Sequence, residues 1–221
     1  MKRSSIKNIS FLILFFGAAV STQAQDDKSF YNGLFYLTNY MTTNEYLQFR
    51  LVHTDIECVD HIYDKALKYF NNDLSETFLC LTFTLIPYNK IPMKIPFLGI
   101  KMTVSLPSPS QIVYKEKRKN TPKQLFCDSP KDDFGDKDKL AHFFGNAFLS
   151  YNIPFTNFSD FMGIFVEYFE EGFFLDGGYD YRDLVANHLG KQFGLMVKNK
   201  KDVKPSEAMK IYQTLYFRVY P

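Results

Sequence analysis

The chain has 221 residues, 46% hydrophobic and 23% charged, with 24 Phe and 15 Tyr but no Trp. This composition excludes a disordered chain, which lacks apolar side chains to bury, and suits one sizeable core or two small ones. The formal charge of +2 does not point to nucleic acid: Lys2, Arg3 and Lys7 fall in a segment that reads as a leader, and without them 23 bases face 24 acids.

Those three bases precede the apolar run Ile9 to Val20, broken by Ser10, and Thr22-Gln23-Ala24 follows. A basic start, a short apolar stretch and small residues before a cut is the pattern of a secretory signal, with cleavage expected after Ala24. The run is too short to span comfortably a bilayer of about 30 Å, which takes roughly 20 residues. No Cys follows it, so a lipid anchor is not expected. The expectation is an exported protein, periplasmic or envelope-associated, with no transmembrane helix in the mature chain.

Residues 25–131 read as a mixed helix and strand segment. Phe30 to Val52 fits helix and strand alike. Thr54 and Glu57 form a capping box, and Val59, Ile62, Tyr63, Ala66, Leu67 and Phe70 follow at helical spacing, so the pattern predicts a helix over 55–71 with Asn71-Asn72 as its stop. Thr77 to Ile86, rich in Phe, Leu and Thr, predicts a strand. Ile100, Met102, Val104 and Leu106 alternate with Lys101, Thr103 and Ser105 and predict a second. Pro87, Pro92 and Pro96 are expected to limit regular structure between them, and the Lys115 to Lys123 run to be a solvated segment or linker. Cys58, Cys80 and Cys127 make an odd number. One disulfide with one free thiol is an arrangement their spacing neither assigns nor excludes. Cys80, in an apolar run, reads as a buried small hydrophobe.

Residues 132–221 read as a helical unit of three or four helices, so the fold class is mainly α with a minor β part. Leu140 to Tyr151, Asp160 to Phe174 and Arg182 to Val197 are apolar runs with polar breaks, and a last helix covers roughly Ser206 to Phe217 after Pro205. Ser159 suits the cap of the second run; Asp180 and Asp183 suit the start of the third. Asp176-Gly177-Gly178 is the turn between them. Glu167, Glu170 and Glu171 make the second run a poor membrane span. Charge is uneven along the chain: Lys90 to Cys127 holds eight bases and one acid, Asp128 to Asn187 twelve acids and four bases.

On helices the polar residues fall into register. Asp138 and His142 share one face; Gly163, Glu167, Glu170 and Glu171 cover another; Asp183, Asn187 and Gly190 a third. Short connections make such helices neighbours. His142, Glu167, Glu170, Asp183 and Asn187 are therefore expected to converge, with Gly145, Gly163 and Gly190 allowing close approach. Carboxylates among Phe side chains need a proton, a cation or hydrogen-bond donors. His53, His61 and His188 have no companion motif.

The three blocks Asp138-Lys139-x-x-His142-Phe143, Gly163-x-x-x-Glu167-x-x-Glu170 and Asp183-Leu184-x-Ala186-Asn187-x-x-Gly190 resemble the YfiM-like family of predicted periplasmic lipoproteins. The same signature is similar to that of the VanZ-like membrane proteins. The resemblance covers about residues 136–194. Residues 26–130 have no counterpart, no lipid-attachment Cys is present, and these helices are more polar. It implies an envelope location and a helical fold rather than a chemistry.

Two function classes follow. In one the polar cluster fixes helix register in an envelope module, or binds a partner there, an envelope protein or the membrane surface. In the other it is an active site: His142, Glu167, Glu170 and Asp183 are an oxygen-rich set with one His, suited to a divalent cation such as Mg²⁺, Mn²⁺ or Zn²⁺, whose activated water would hydrolyse an envelope phosphate or ester. There is no H-E-x-x-H, no G-x-S-x-G and no phosphate-cradling glycine loop.

Overall fold

Each of the first five described helices begins where a Ser, Thr or Asp side chain closes the first turn. In the computed structural model, which describes residues 29–94, 101–105, 107, 109–153, 181–200 and 202–219, these are α1 (Phe30–Tyr40), α2 (Asn44–Val52), α3 (Asp55–Tyr69), α4 (Leu74–Leu85) and α5 (Gln111–Asn120), capped by Ser29, Thr43, Thr54, Asp73 and Ser110. A cap of this kind supplies an acceptor to an otherwise unpaired amide, worth about 1 kcal/mol. At Thr54 the box is reciprocal: Glu57 N donates to Thr54 Oγ1 at 3.3 Å and Thr54 N to Glu57 Oε2 at 2.8 Å. Asn71 and Asn72, both at positive φ, end α3 as the sequence indicates. The ambiguous stretch 30–52 is two helices.

Two expectations fail here. Thr77 to Ile86 is not a strand but most of α4. Thr77, Phe78, Cys80, Leu81, Thr82, Thr84 and Leu85 are all buried, so the helix is apolar nearly all round and has no helical period to betray it. Two of its buried hydroxyls find acceptors on its own backbone, Thr77 Oγ1 on Asp73 O and Thr82 Oγ1 on Phe78 O at 2.7 Å. The Lys115 to Lys123 run is not a linker either. Through Asn120 it is the end of α5, which buries Tyr114, Lys117 and Asn120 against the body.

Between α4 and α5 lies an antiparallel ribbon of β1 (Lys90–Lys94) and β2 (Lys101–Ser105), pairing Lys90 with Ser105, Pro92 with Thr103 and Lys94 with Lys101. Pro92 sits inside β1 after all. In a two-stranded ribbon each strand has one unpaired edge, so a residue without N–H is tolerated there.

The remaining described helices are α6 (Lys139–Asn152), α7 (Tyr181–Asn199) and α8 (Pro205–Val219). The chain is thus mainly helical. No helix among the described residues is long and apolar enough to cross a membrane. The leader, Ser159, Gly163, Glu167, Glu170, Glu171, Asp180, the Asp176-Gly177-Gly178 turn and the expected helix Asp160–Phe174 lie outside the described residues.

One apolar core joins α1, α3 and α4 to α6, α7 and α8. Phe78 of α4 is central, with ring neighbours on Tyr63 at 6.2 Å, Phe144 at 6.5 Å and Phe193 at 5.6 Å. Such aromatic pairs add about 0.5–1.5 kcal/mol each beyond burial. Asp60 of α3 accepts from Ser206 N at 2.8 Å, tying α8 to α3 at its first turn. The segment between α5 and α6 is held by Asp55, whose Oδ2 accepts from Lys123 N and Gln124 N at 2.9 and 2.8 Å. Gly135 there has φ +57 and stands against Lys123 O, where a Cβ would come within 2.5 Å, so only glycine fits. Cys58 and Cys80 are buried, Cys127 is exposed, and all three are free thiols.

Candidate functional site: the seam between α6 and α7

Helices α6 and α7 lie side by side and run in the same direction, as their paired positions show: Lys139 meets Asp183, His142 meets Asn187, and Ser150 O accepts from Lys198 Nζ at 2.8 Å. The approach is set by glycine. A Cβ on Gly190 would lie 2.0 Å from Phe143 O, and one on Gly194 would lie 2.4 Å from Ala147 O. The backbones touch there. Gly145 plays no such part: it faces Thr82 of α4, and a Cβ would meet Thr82 Cγ2 at an ordinary 3.5 Å.

At the N-terminal end of this seam stands a polar cluster. Asn146 Nδ2 donates to His142 O at 2.9 Å and to Asn187 Oδ1 at 2.7 Å. A carbonyl only accepts, so the Asn146 amide is oriented by it, and Asn187 presents its oxygen. His142 Nδ1, 3.2 Å from that same oxygen, is therefore the protonated ring nitrogen. Its Nε2 is left facing Asp183 Oδ1 at 3.5 Å. The tautomer is thus set by an asparagine one turn along the same helix.

The charges are arranged around one ammonium. Lys139 Nζ lies 2.8 Å from Asp138 Oδ2 and 2.8 Å from Asp183 Oδ1, and the Lys139 side chain is only 4% exposed. The Asp138 contact is a hydrogen bond. The Asp183 contact is close but off the direction a hydrogen bond needs, so among the described residues Asp183 Oδ1 has a compensating charge and no donor. Asp138 Oδ1 is likewise buried without a donor among the described residues. Asp138 holds the cap position of α6 yet makes no side-chain cap bond, forgoing about 0.5–2 kcal/mol for its place in the cluster.

A second layer backs the first. Asp136, with its side chain 0% exposed, accepts from Ser129 Oγ and lies 3.6 Å from Arg182 Nη1. Burial pushes its carboxyl above the ordinary range, against the pull of Ser129 and Arg182. Asp128 Oδ2 accepts from Tyr181 OH and from Tyr212 OH of α8, the latter at 3.1 Å. The hydrogen bond to Asp128 is the chief cause of the raised Tyr181 pKa, whereas for Tyr212 burial leads.

Of the residues singled out in the sequence, His142, Asp183 and Asn187 stand together, while Glu167 and Glu170 lie outside the described residues. Asn146, Arg182, Asp136 and Ser129 belong to the site and carry no sequence motif. Asn146 alone had a signal, a lone amide one turn after His142 within an apolar run. Among the described residues no group of three His, Cys, Asp or Glu is placed to hold a metal ion. Away from this site, His61 Nε2 is 2.5 Å from Tyr40 OH and its ring stacks on Phe49 at 4.0 Å; His53 stacks on Phe49 at 3.7 Å, and His188 is exposed.

No protein-family model, curated protein or solved structure matches this chain.

Proposed function

We propose that the protein is an exported cell-envelope module in which the α6–α7 seam holds two helices in fixed register, so that the surface around it can engage an envelope partner. One observation carries the structural half of this reading. Asn187 Oδ1 accepts from both Asn146 and His142, and Lys139 supplies one positive charge to two carboxylates, so the polar groups of the two helices are largely consumed by one another. A buried hydrogen-bond network of this kind specifies register. The leader pattern of residues 1–24 and the resemblance to the YfiM-like family support the location. Sequencing the N-terminus of the protein from an envelope fraction tests it: a start at or within two residues of Gln25 is expected, and Met1 would overturn it.

One further observation favours a second reading, a metal-assisted hydrolase of an envelope phosphate or ester. Among the described residues Asp138 Oδ1 and Asp183 Oδ1 are buried without a hydrogen-bond donor, the latter beside His142, and oxygen donors with one imidazole suit a divalent cation. Metal analysis of the purified protein, before and after Glu167→Ala, separates the two. Stoichiometric metal lost in the variant would favour the hydrolase; none in either favours the module.

A further inference from the structure

We propose that Lys137, Arg118 and Lys123 form a binding site for a phosphoryl-type oxyanion, free phosphate or a phosphomonoester, where the end of α5 meets the segment before α6. It lies outside the α6–α7 cluster and goes beyond the envelope reading. Lys137 is its centre. The residue is 6% exposed, yet among the described residues its side chain makes no hydrogen bond and no ion pair. It also stands just before the first turn of α6, where the helix dipole disfavours a cation. Lys139, two residues on and equally buried, lies between two carboxylates. An ammonium withdrawn from water is costly unless something pairs with it.

The surrounding charges do not pair with it. Burial first, and then Lys123, Arg118 and Arg50, push the Lys137 ammonium below its ordinary range. Asp133 pulls the other way, but its side chain is fully exposed and already lies 3.4 Å from Lys123 Nζ. Other acids at hand are spent. Asp55 Oδ2 accepts from the amides of Lys123 and Gln124 while its Oδ1 lies 3.5 Å from Arg50, and Asp132 Oδ1 accepts from Phe134 N and Gly135 N. Two further donors are unused among the described residues: Arg50 Nε and, one turn before Arg118 on α5, Tyr114 OH are buried without a partner. The backbone holds this frame together. Asp136 N donates to Lys123 O at 2.8 Å, which pins the segment carrying Lys137 to the one carrying Lys123. Tyr46 OH donates to Asn120 O at 3.3 Å, which fixes the end of α5 beside α2. Several cations held together at a cost are compensated best by an anion with several acceptor oxygens. A tetrahedral dianion supplies them, whereas a carboxylate, with one charge, leaves most of the excess standing. Arg118 is exposed, so the site is open to solvent on its side.

The test is titration calorimetry of the purified protein with inorganic phosphate at low chloride. One saturable site per chain is expected, weakening as salt is raised. Lys137→Met should weaken binding about tenfold or more, the loss of one charge-assisted hydrogen bond, and Arg118→Gln by a smaller factor because that guanidinium is exposed. Lys210→Ala, at an exposed position of α8, should leave it unchanged. Urea unfolding keeps the result readable. Lys137→Met removes an unpaired buried charge, so without phosphate it should be at least as stable as the wild type. Phosphate strengthens burial in any protein, so the reading is a difference: it should raise the wild-type midpoint more than that of Lys137→Met. Glycerol phosphate in place of phosphate tells the sources apart. Binding as tight or tighter means that the anion arrives on a larger molecule, weaker binding that it arrives free, and both support the site. No saturable binding, or binding unmoved by both Lys137→Met and Arg118→Gln, would overturn it.

Discussion

The α6–α7 seam and the contact between α4 and α5 both bury lysine, and they do it in opposite ways. In the seam, Lys139 lies between two carboxylates. At the other contact, Lys117 is 2% exposed, and its Nζ donates to Thr84 O at 2.7 Å and Ile86 O at 3.0 Å. Those carbonyls end α4, where the helix dipole is negative. The ring of Tyr114 lies 4.9 Å from the ammonium, and the charges that bear on it, Arg118 and Lys137, are positive. A cation satisfied by carbonyl dipoles is anchored but not neutralised. One made with carboxylates is both. The difference lies in how the two regions respond to protons.

Burial pushes the Lys117 ammonium down to about 7 from 10.5. The unfolded chain therefore binds more protons than the folded one between those values, and stability must rise with pH. The contribution is fully present above pH 10.5 and is lost as pH falls through about 7. At about 1.4 kcal/mol per unit this amounts to roughly 5 kcal/mol at most. Urea unfolding followed by circular dichroism (the chain has no Trp) should show this rise in the wild type between pH 7 and 10. Lys117→Met should flatten it. Near pH 7 the variant should be close to the wild type, because leaving two carbonyls without a donor costs about 1–3 kcal/mol while removing a buried charge returns a similar amount. A slope unchanged by Lys117→Met would break the comparison, since the rise would then belong to other groups.

The seam's weakness is steric. Gly190→Ala drives a Cβ against the Phe143 backbone, and neither backbone can yield without parting the helices. A loss of about 3 kcal/mol is expected, at the top of the range for overpacking. Gly145→Ala sharpens the point: it meets only an ordinary contact, and alanine's better helix propensity gains up to about 1 kcal/mol. The two substitutions should move the midpoint of urea unfolding in opposite directions.

Smaller again is the coupling of Asn146 and Asn187. Asn187→Ala strands the amide of Asn146 and the Nδ1–H of His142, a cost of about 1–3 kcal/mol. In a double-mutant cycle Asn146→Ala with Asn187→Ala should cost less than the sum of the singles by at least about 0.5 kcal/mol. Strict additivity would mean that the two side chains do not share a network.

What was legible in the sequence divides along the same line. The helix 55–71, its box and its stop were readable because local chemistry decides them: one cap, one apolar face, two residues at positive φ. The placing of His142 by Asn187 was readable because periodicity puts both on inner faces. Asn146, Arg182 and Asp136 were not, since their roles depend on which helix lies opposite. Lys117 was misread for the same reason. A lysine within Lys115-Glu116-Lys117-Arg118-Lys119 looks like solvent, and only the carbonyls at the end of α4 make a buried place for it. Gly145 and Gly190 look alike in the sequence; the partner that each meets is what separates them.

The strand misread at Thr77 to Ile86 gives the smallest prediction and a direct check on α4. Asp73 Oδ1 accepts from Glu76 N at 3.0 Å as the cap of that helix. Its side chain does nothing else of note among the described residues. Were 77–86 a strand, Asp73 would be a loop residue four positions before it, and its replacement would fall within the roughly ±0.5 kcal/mol of ordinary surface changes. As a cap, Asp73→Ala should cost about 1 kcal/mol, and Asp73→Ser should recover most of it, because a hydroxyl accepts the same amide. The rescue separates a cap from general surface charge, for Asp73→Ser removes the charge and keeps the acceptor. Circular dichroism of both variants at equal urea concentration reads the difference. Two equal losses would mean that charge, not the hydrogen bond, is what Asp73 supplies to the start of α4.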